Sequence, residues 1–212
     1  MSDLFNILAK LAQWGLLIYY WIIILAILIT WVTPDPRNPV VQFLNTMTVP
    51  LFNWVRRFLP SSLVLLSAYC SLLLVLFLQI FVPGVLWTFG VFSEGSVPGS
   101  KVPTMVAGFF LHGAGYVMES LLFFLIVLLL IWFFLTLINP SVNNPIVRAI
   151  YFLVDPLISP IQRRLPRQRF DVSPLVAAGG FLAIILLLLN PLDDFARQLT
   201  FGNGALPFPQ AF

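Results

Sequence analysis

Four stretches of this chain are too long and too apolar to be covered by anything but lipid. Leu11 to Trp31 and Ser62 to Val82 carry no charged side chain, Tyr116 to Ile138 carries one, Glu119, and Ser173 to Leu192 carries none although Gly179 and Gly180 interrupt it. A helix rises about 1.5 Å per residue, so roughly 20 apolar residues cross a hydrocarbon core of about 30 Å with every backbone polar group bonded internally. Composition agrees: 60% of the 212 residues are hydrophobic and 9% are charged, against roughly 25% charged in soluble domains. The reading is an all-α integral membrane protein with four spans.

Between the second and third spans, Pro83 to Gly115 contains Gly84, Gly90, Gly95, Pro98, Gly99 and Pro103, residues that punctuate helices. This predicts a loop outside the bilayer core, with 84–115 as an extracytoplasmic connector. Its later part, Met105 to His112, is apolar again and fits either an interfacial helix or a segment dipping into the membrane. The start Met1-Ser2-Asp3-Leu4-Phe5 lacks the basic region and cleavage site of a secretory signal, so the first span reads as retained. The single cysteine, Cys70, lies within a span and leaves no intrachain disulfide, CxxC pair or thiolate metal cage.

Eight of the eleven basic residues follow the odd-numbered spans: Arg37, Arg56 and Arg57 after the first, and Arg148, Arg163, Arg164, Arg167 and Arg169 after the third. Cationic loops stay in the cytoplasm. Both of these loops are therefore expected on the cytoplasmic side, with the termini and the connector opposite. The net charge of +3 then reflects topology and anionic lipid headgroups, and nothing points to nucleic acid.

An internal duplication organises the chain. Asn38-Pro39 recurs as Asn144-Pro145, 106 positions later, and the same offset pairs Pro34 with Pro140, Pro50 with Pro156, Arg57 with Arg163 and Pro60 with Pro166. Beyond that point, a six-residue deletion in the first copy sets Ser61, Leu63, Val64 and Ser67 opposite Ser173, Leu175, Val176 and Gly179. Each repeat is span, amphipathic loop, span. Two spans return the chain to its starting side, so the copies run parallel about an axis along the membrane normal. The divisions are 1–83 for repeat 1, 84–115 for the connector, 116–192 for repeat 2 and 193–212 for an extracytoplasmic tail.

The shared residues have local reasons. Asn is an N-cap whose side chain accepts from an early helical N–H, and Pro suits the first helical position. Ile146, Ile150, Leu153 and Leu157 recur at helical spacing with Arg148, Tyr151, Asp155 and Ser159 largely opposite, which predicts a helix in the headgroup plane. Asp155-Pro156 repeats the cap chemistry and predicts a second short helix ending near Arg163 and Arg164, as Pro50, Arg56 and Arg57 do in the first copy. Ser173-Pro174 opens the fourth span, with Asp171 placed to pair with a loop arginine. Small residues four apart, Ser67 and Ser71 in one copy and Gly179 and Ala183 in the other, are expected to let helices approach closely, within the chain or between copies of it.

These motifs carry a resemblance. Trp31-Val-Thr-Pro-Asp-Pro-Arg-Asn-Pro-Val40, its echo Asn139-Pro-Ser-Val-Asn-Asn-Pro-Ile146, and Asp155-Pro-Leu-Ile-Ser-Pro-Ile-Gln-Arg-Arg-Leu-Pro166 with Asp171-Val-Ser-Pro-Leu175 resemble the YggT (YlmG) family of small membrane proteins, in two tandem copies. The resemblance implies no enzymatic activity and no bound cofactor. Members are associated with osmotic tolerance, with division or nucleoid organisation, and with cytochrome b6 haem maturation in chloroplasts, so the implied role is assembling or organising other membrane complexes. Transport in osmotic or ion homeostasis is the alternative. The chain departs from the family pattern around Ala26 and Trp132, where an arginine is expected and the stretch is apolar.

Catalytic supply is thin. His112 is the one histidine, and no HExxH, GxxxxGK[ST] or GxSxG motif is present, which argues against an enzyme. A bis-histidine haem within one chain is excluded. His112 and Glu119, seven apart, could share a face as a proton or metal site; the plainer reading is an interfacial histidine and a carboxylate near a helix start. The other spans hold no ionisable residue at depth, although Gln79 and Asn190 could line a path. Trp31, Trp54 and Phe58 read as interfacial anchors. The loop helices, anchored this way, form the expected platform for other membrane proteins.

Overall fold

The computed structural model describes residues 2–32, 35, 37–138, 145–164 and 171–202, and every regular element among them is helical. In order these are α1 (Ser2–Val32), α2 (Pro39–Arg56), α3 (Ser67–Ser93), α4 (Val102–Ile138), α5 (Pro145–Gln162), α6 (Ser173–Ile184) and α7 (Asn190–Phe201). A 3-10 turn, Ser61–Leu66, leads into α3, another, Gly99–Lys101, leads into α4, and a π-helical turn, Ile185–Leu189, joins α6 to α7. Four helical stretches, Asp3–Thr30, Ser67–Ser93, Gly99–Ile138 and Ser173–Phe201, are long and apolar enough to cross a membrane. The four expected spans are all there, and one of them, Gly99–Ile138 with 40 residues, is much longer than a bilayer needs.

The chain divides into two units, Met1–Val117 with Phe195–Phe212, and Met118–Asp194. In the first unit α1 lies along α3, with α2 packed on both. Ile23, Ile27 and Val75 form the buried centre, ringed by Tyr19, Tyr20, Leu51, Phe52 and Leu72. Two polar bonds fix this packing: Gln79 Nε2 donates to the Leu16 carbonyl at 3.3 Å, and the Tyr19 hydroxyl donates to the Met47 carbonyl at 3.0 Å. The Gln79 amide is partly buried, where a donor without a partner is costly. In the second unit Leu128, Leu129, Val154, Ile158, Ala177 and Ala178 form the core, drawing on α4, α5 and α6.

The connector is not the loop that its glycines and prolines suggest. α3 continues through Pro83 to Ser93, and α4 begins at Val102, leaving only a short turn in which Gly95 holds φ at 73°, a left-handed backbone that glycine adopts freely. Pro83 removes one helical N–H and does not end the helix. At 37 residues α4 is about 55 Å long, so the Met105 to His112 segment is simply its first turns. Ile80, Trp87, Val91, Val97, Met105 and Phe109 pack there, joined by Phe201 from α7. Residues expected as connector and tail thus form one aromatic core.

Glycine makes this closeness achievable. A Cβ on Gly84 would lie 2.7 Å from Phe109 Cε1, and one on Gly108 would lie 2.7 Å from the Ala196 carbonyl oxygen. Here the glycines are contact points between helices and not breaks in them.

The duplication survives in the fold with one change. α2 and α5 begin at Pro39 and Pro145 and end at Arg56 and Gln162, each 18 residues long and offset by 106. Burial follows the same register, pairing Val41 with Val147 and Ile23 with Leu129. The six-residue deletion is overturned, because α3 starts at Ser67 and α6 at Ser173, again 106 apart. Ser67 and Ser71 are buried, and so are their register mates Ser173 and Ala177, whereas Gly179 and Ala183 are exposed. Small residues four apart are buried in both copies; in the second copy they are Ser173 and Ala177.

Candidate functional site on the loop helices

α2 begins as its sequence dictates. Asn38 has an extended backbone, and its side-chain oxygen accepts from the Val40 N–H at 2.9 Å, with Pro39 at the first helical position. α5 opens at Pro145; Asn144, like Pro34, Pro140 and Pro166, lies outside the described residues. Asp155-Pro156 does not start a second helix. α5 runs unbroken through Pro156 and Pro160, as α2 runs through Pro50, because a proline costs one internal hydrogen bond and the apolar face continues past it on the same side. Pro60 precedes the 3-10 turn as an exposed residue.

Each loop helix presents three faces. On α2, Val41, Leu44, Thr48 and Val55 are buried against the spans. Phe43, Met47, Trp54 and Phe58, at helical spacing, form an exposed apolar face. Asn45, Thr46, Asn53, Arg56 and Arg57 complete the circumference and are exposed. On α5 the packing face is Val147, Val154 and Ile158; Leu153, read from its spacing as part of this stripe, points outward. The third face of α5 is unlike that of α2. Tyr151 and Phe152 stand exposed where α2 has Asn45 and Thr46, the Arg148 guanidinium carbon lies 5.7 Å from the centre of the Phe152 ring, and Tyr151 bonds to the Asp155 carboxylate. That bond, reinforced by the carboxylate's charge, raises the Tyr151 phenol above its ordinary 10.0, because the neutral hydroxyl is the form that can donate.

A polar tie joins each loop helix to the next span. Arg56 Nε donates to Ser67 Oγ at 3.1 Å. At the matching position Gln162 Nε2 donates to Asp171 Oδ2 at 2.6 Å, while Asp171 Oδ1 accepts from the Ser173 N–H at 3.0 Å and from the Ser173 hydroxyl. Asp171 therefore holds the first residue of α6 and is itself held by a glutamine of α5, where an arginine partner was expected. Arg163 and Arg164 are exposed in the turn that follows α5. Trp132, in one of the apolar departures from the family pattern, packs on the core of its unit with its ring 5.4 Å from that of Tyr151. The residues that sequence reasoning overlooked are Gln162 and the Tyr151–Phe152 pair. Register was the available signal, since Gln162 answers Arg56 and Tyr151 answers Asn45.

The family model described as CCB3/YggT matches residues 5–89 and 111–192, two stretches that begin 106 positions apart. The chain belongs to the CCB3/YggT family. Each matched stretch covers one repeat, and the gap between them falls on the hairpin that joins α3 to α4. The chain is also similar to the YggT proteins of three strains of Escherichia coli, 26% identical to each over 203 residues, 95% of this chain and 96% of theirs. Those relatives are described as uncharacterized. No solved structure matches. With four apolar helices and this family, the protein is a multi-pass membrane protein. Among the described residues no group of three or more His, Cys, Asp or Glu could hold a metal ion; His112 is partly buried and Glu119 is exposed.

Proposed function

We propose that this protein is a non-enzymatic organising or assembly factor that docks other membrane proteins on its loop helices, above all on α5. One observation carries the reading: the third face of α5, where Arg148, Tyr151 and Phe152 stand exposed with the half-buried Asp155 among them and, among the described residues, only the Tyr151 ring meets a neighbouring helix, at Trp132. Arg and Tyr are enriched among the residues that carry the energy of protein interfaces, and α2 at the same register has Gln42, Asn45, Thr46 and Val49, none of them charged or aromatic. The arginine distribution supports a topology with both loops in the cytoplasm of a bacterial inner membrane and the termini opposite. Cysteines placed at positions 57 and 164 are expected to react with an impermeant reagent from one side only, the same side for both.

The test is crosslinking in native membranes followed by quantification of each captured protein. Tyr151→Ala with Phe152→Ala is expected to lose specific partners that the unmodified chain retains, and Arg163→Gln with Arg164→Gln to weaken them. Recovery of the same partners in the same amounts refutes the platform.

A transport role in osmotic or ion homeostasis has one observation in its favour. Both α3 and the α6–α7 helix are irregular towards their outer ends: Pro83 deprives the Gln79 carbonyl of its helical donor, and the π turn Ile185–Leu189 precedes Asn190-Pro191. Interrupted helices at related positions of two repeats are where transporters bind substrates. Flux of potassium or protons into liposomes above that of empty vesicles supports this reading, and none rejects it for those ions.

A further inference from the structure

α2 has a feature that the organising role does not use. From position 36 to position 93 the chain contains no Asp or Glu, so the two arginines that end this helix have no nearby acidic residue in sequence. The two sit differently. Arg56 lies at the border with the packing face, where its Nε is committed to Ser67. Arg57, one residue on, emerges between the amide face and the apolar face, three positions from Trp54 and four from Asn53. Beside it Trp54 and Phe58 are both exposed, with ring centres 4.8 Å apart. Cation, amide donor and aromatic rings thus meet where the apolar face of the helix borders its polar face.

We propose that this corner of repeat 1 binds an anionic phospholipid. Arg57 takes the headgroup phosphate with Asn53 beside it, and the acyl chains lie against Trp54 and Phe58. The charge argues for a phospholipid over a neutral lipid, and the apolar face argues for a lipid over a soluble phosphate. A guanidinium offers a planar pair of donors that matches a phosphate, and indole rings settle at headgroup depth. Repeat 2 lacks the constellation: Pro160 stands where Trp54 does, Arg164 where Phe58 does and Gln162 where Arg56 does. Its arginines remain a diffuse positive charge, so selectivity belongs to the first repeat alone.

The experiment uses the full-length protein in detergent, offered mixed micelles of phosphatidylglycerol and phosphatidylcholine, with retained lipid counted by native mass spectrometry. The unmodified chain is expected to retain phosphatidylglycerol preferentially. Arg57→Gln is expected to reduce that preference by about fivefold, the effect of one basic side chain at an anionic surface, whereas Arg163→Gln, which removes the same charge, changes it less than about twofold. Trp54→Ala lowers retention of both lipids. Equal losses from Arg57→Gln and Arg163→Gln would mean that net charge alone attracts the lipid, and would overturn the proposal. So would an unchanged preference in Arg57→Gln, whose fold is checked by its helical circular dichroism.

Discussion

Replacing Gly108 by alanine tests whether α7 is docked as described. The added Cβ would lie 2.7 Å from the Ala196 carbonyl oxygen and nearer still to Thr200 Oγ1, although real Cβ atoms essentially never approach within 3.0 Å. Backbone on the far side cannot rotate away, so the helices must part. Overpacking costs about 1–3 kcal/mol, and a backbone obstacle places this case near the top, about 3. Alanine regains about 1 kcal/mol through helix propensity. The remaining ~2 kcal/mol favours undocking of α7 by about thirtyfold. Arg197 reports it, because trypsin reaches a helical arginine only when the helix opens, and cleavage then tracks the population of the open form. Cleavage at Arg197 is expected to rise about thirtyfold in Gly108→Ala. Gly115→Ala is the control, since a Cβ there meets nothing within 4 Å, and its cleavage should match that of the parent or fall below it. Adding Thr200→Ala to Gly108→Ala removes the nearest atom and should restore part of the protection. If Gly108→Ala resists trypsin as well as Gly115→Ala does, α7 does not lie against α4 at this point.

Three further outcomes follow from the ties and the loop faces. Asp171→Ala removes the acceptor of the Ser173 N–H at the start of α6 and of Gln162, costing about 1 kcal/mol, seen as a thermal midpoint lower by roughly 2–4 °C; Asp171→Asn, which keeps an acceptor oxygen, should lose less. Arg56→Gln with Ser67→Ala in a double-mutant cycle should show coupling of about 1 kcal/mol, and additive effects would mean that the observed bond contributes nothing. Tyr151 has its phenol raised by Asp155, so the bond is fully present below 10.0 and is lost as pH climbs through the raised value. Asp155→Asn should therefore move the tyrosinate absorbance midpoint of this residue downwards, and an unchanged midpoint counts against the pairing.

Apolar spans and proline-marked helix starts were legible because their causes are local. Asn38-Pro39 contains its own cap and its own φ, and no distant residue is needed to read it. The hairpin was not legible, because Gly84 and Gly108 are indistinguishable in one dimension from glycines that break helices; only a ring or a carbonyl arriving from another helix reveals them as contacts. The register of the second span in each repeat failed for a related reason. Ser-Leu-Val echoes drew Ser61 towards Ser173, yet the helix that matters starts at Ser67, where Arg56 is tied, just as α6 starts at Ser173, where Asp171 and Gln162 close the loop. In spans built almost wholly of Leu, Val and Ile, residue identity carries little positional information, and a polar tie at the helix start carries much.

The faces of α2 and α5 show what duplication has held and what it has released. Residues that pack on the spans keep their places at an offset of 106, because a change there must be answered by a neighbour within the same unit. Residues on the outward faces have fewer such neighbours, and they have separated into amides beside an arginine on α2 and into a tyrosine, a phenylalanine and an ion-bearing cluster on α5. Two helices that hold the same seat yet present different chemistry suit a protein that grips the membrane with one repeat and a partner with the other. Exchanging the outward residues of α2 and α5 while leaving both packing faces intact should then exchange lipid preference and partner capture between repeats without loss of stability.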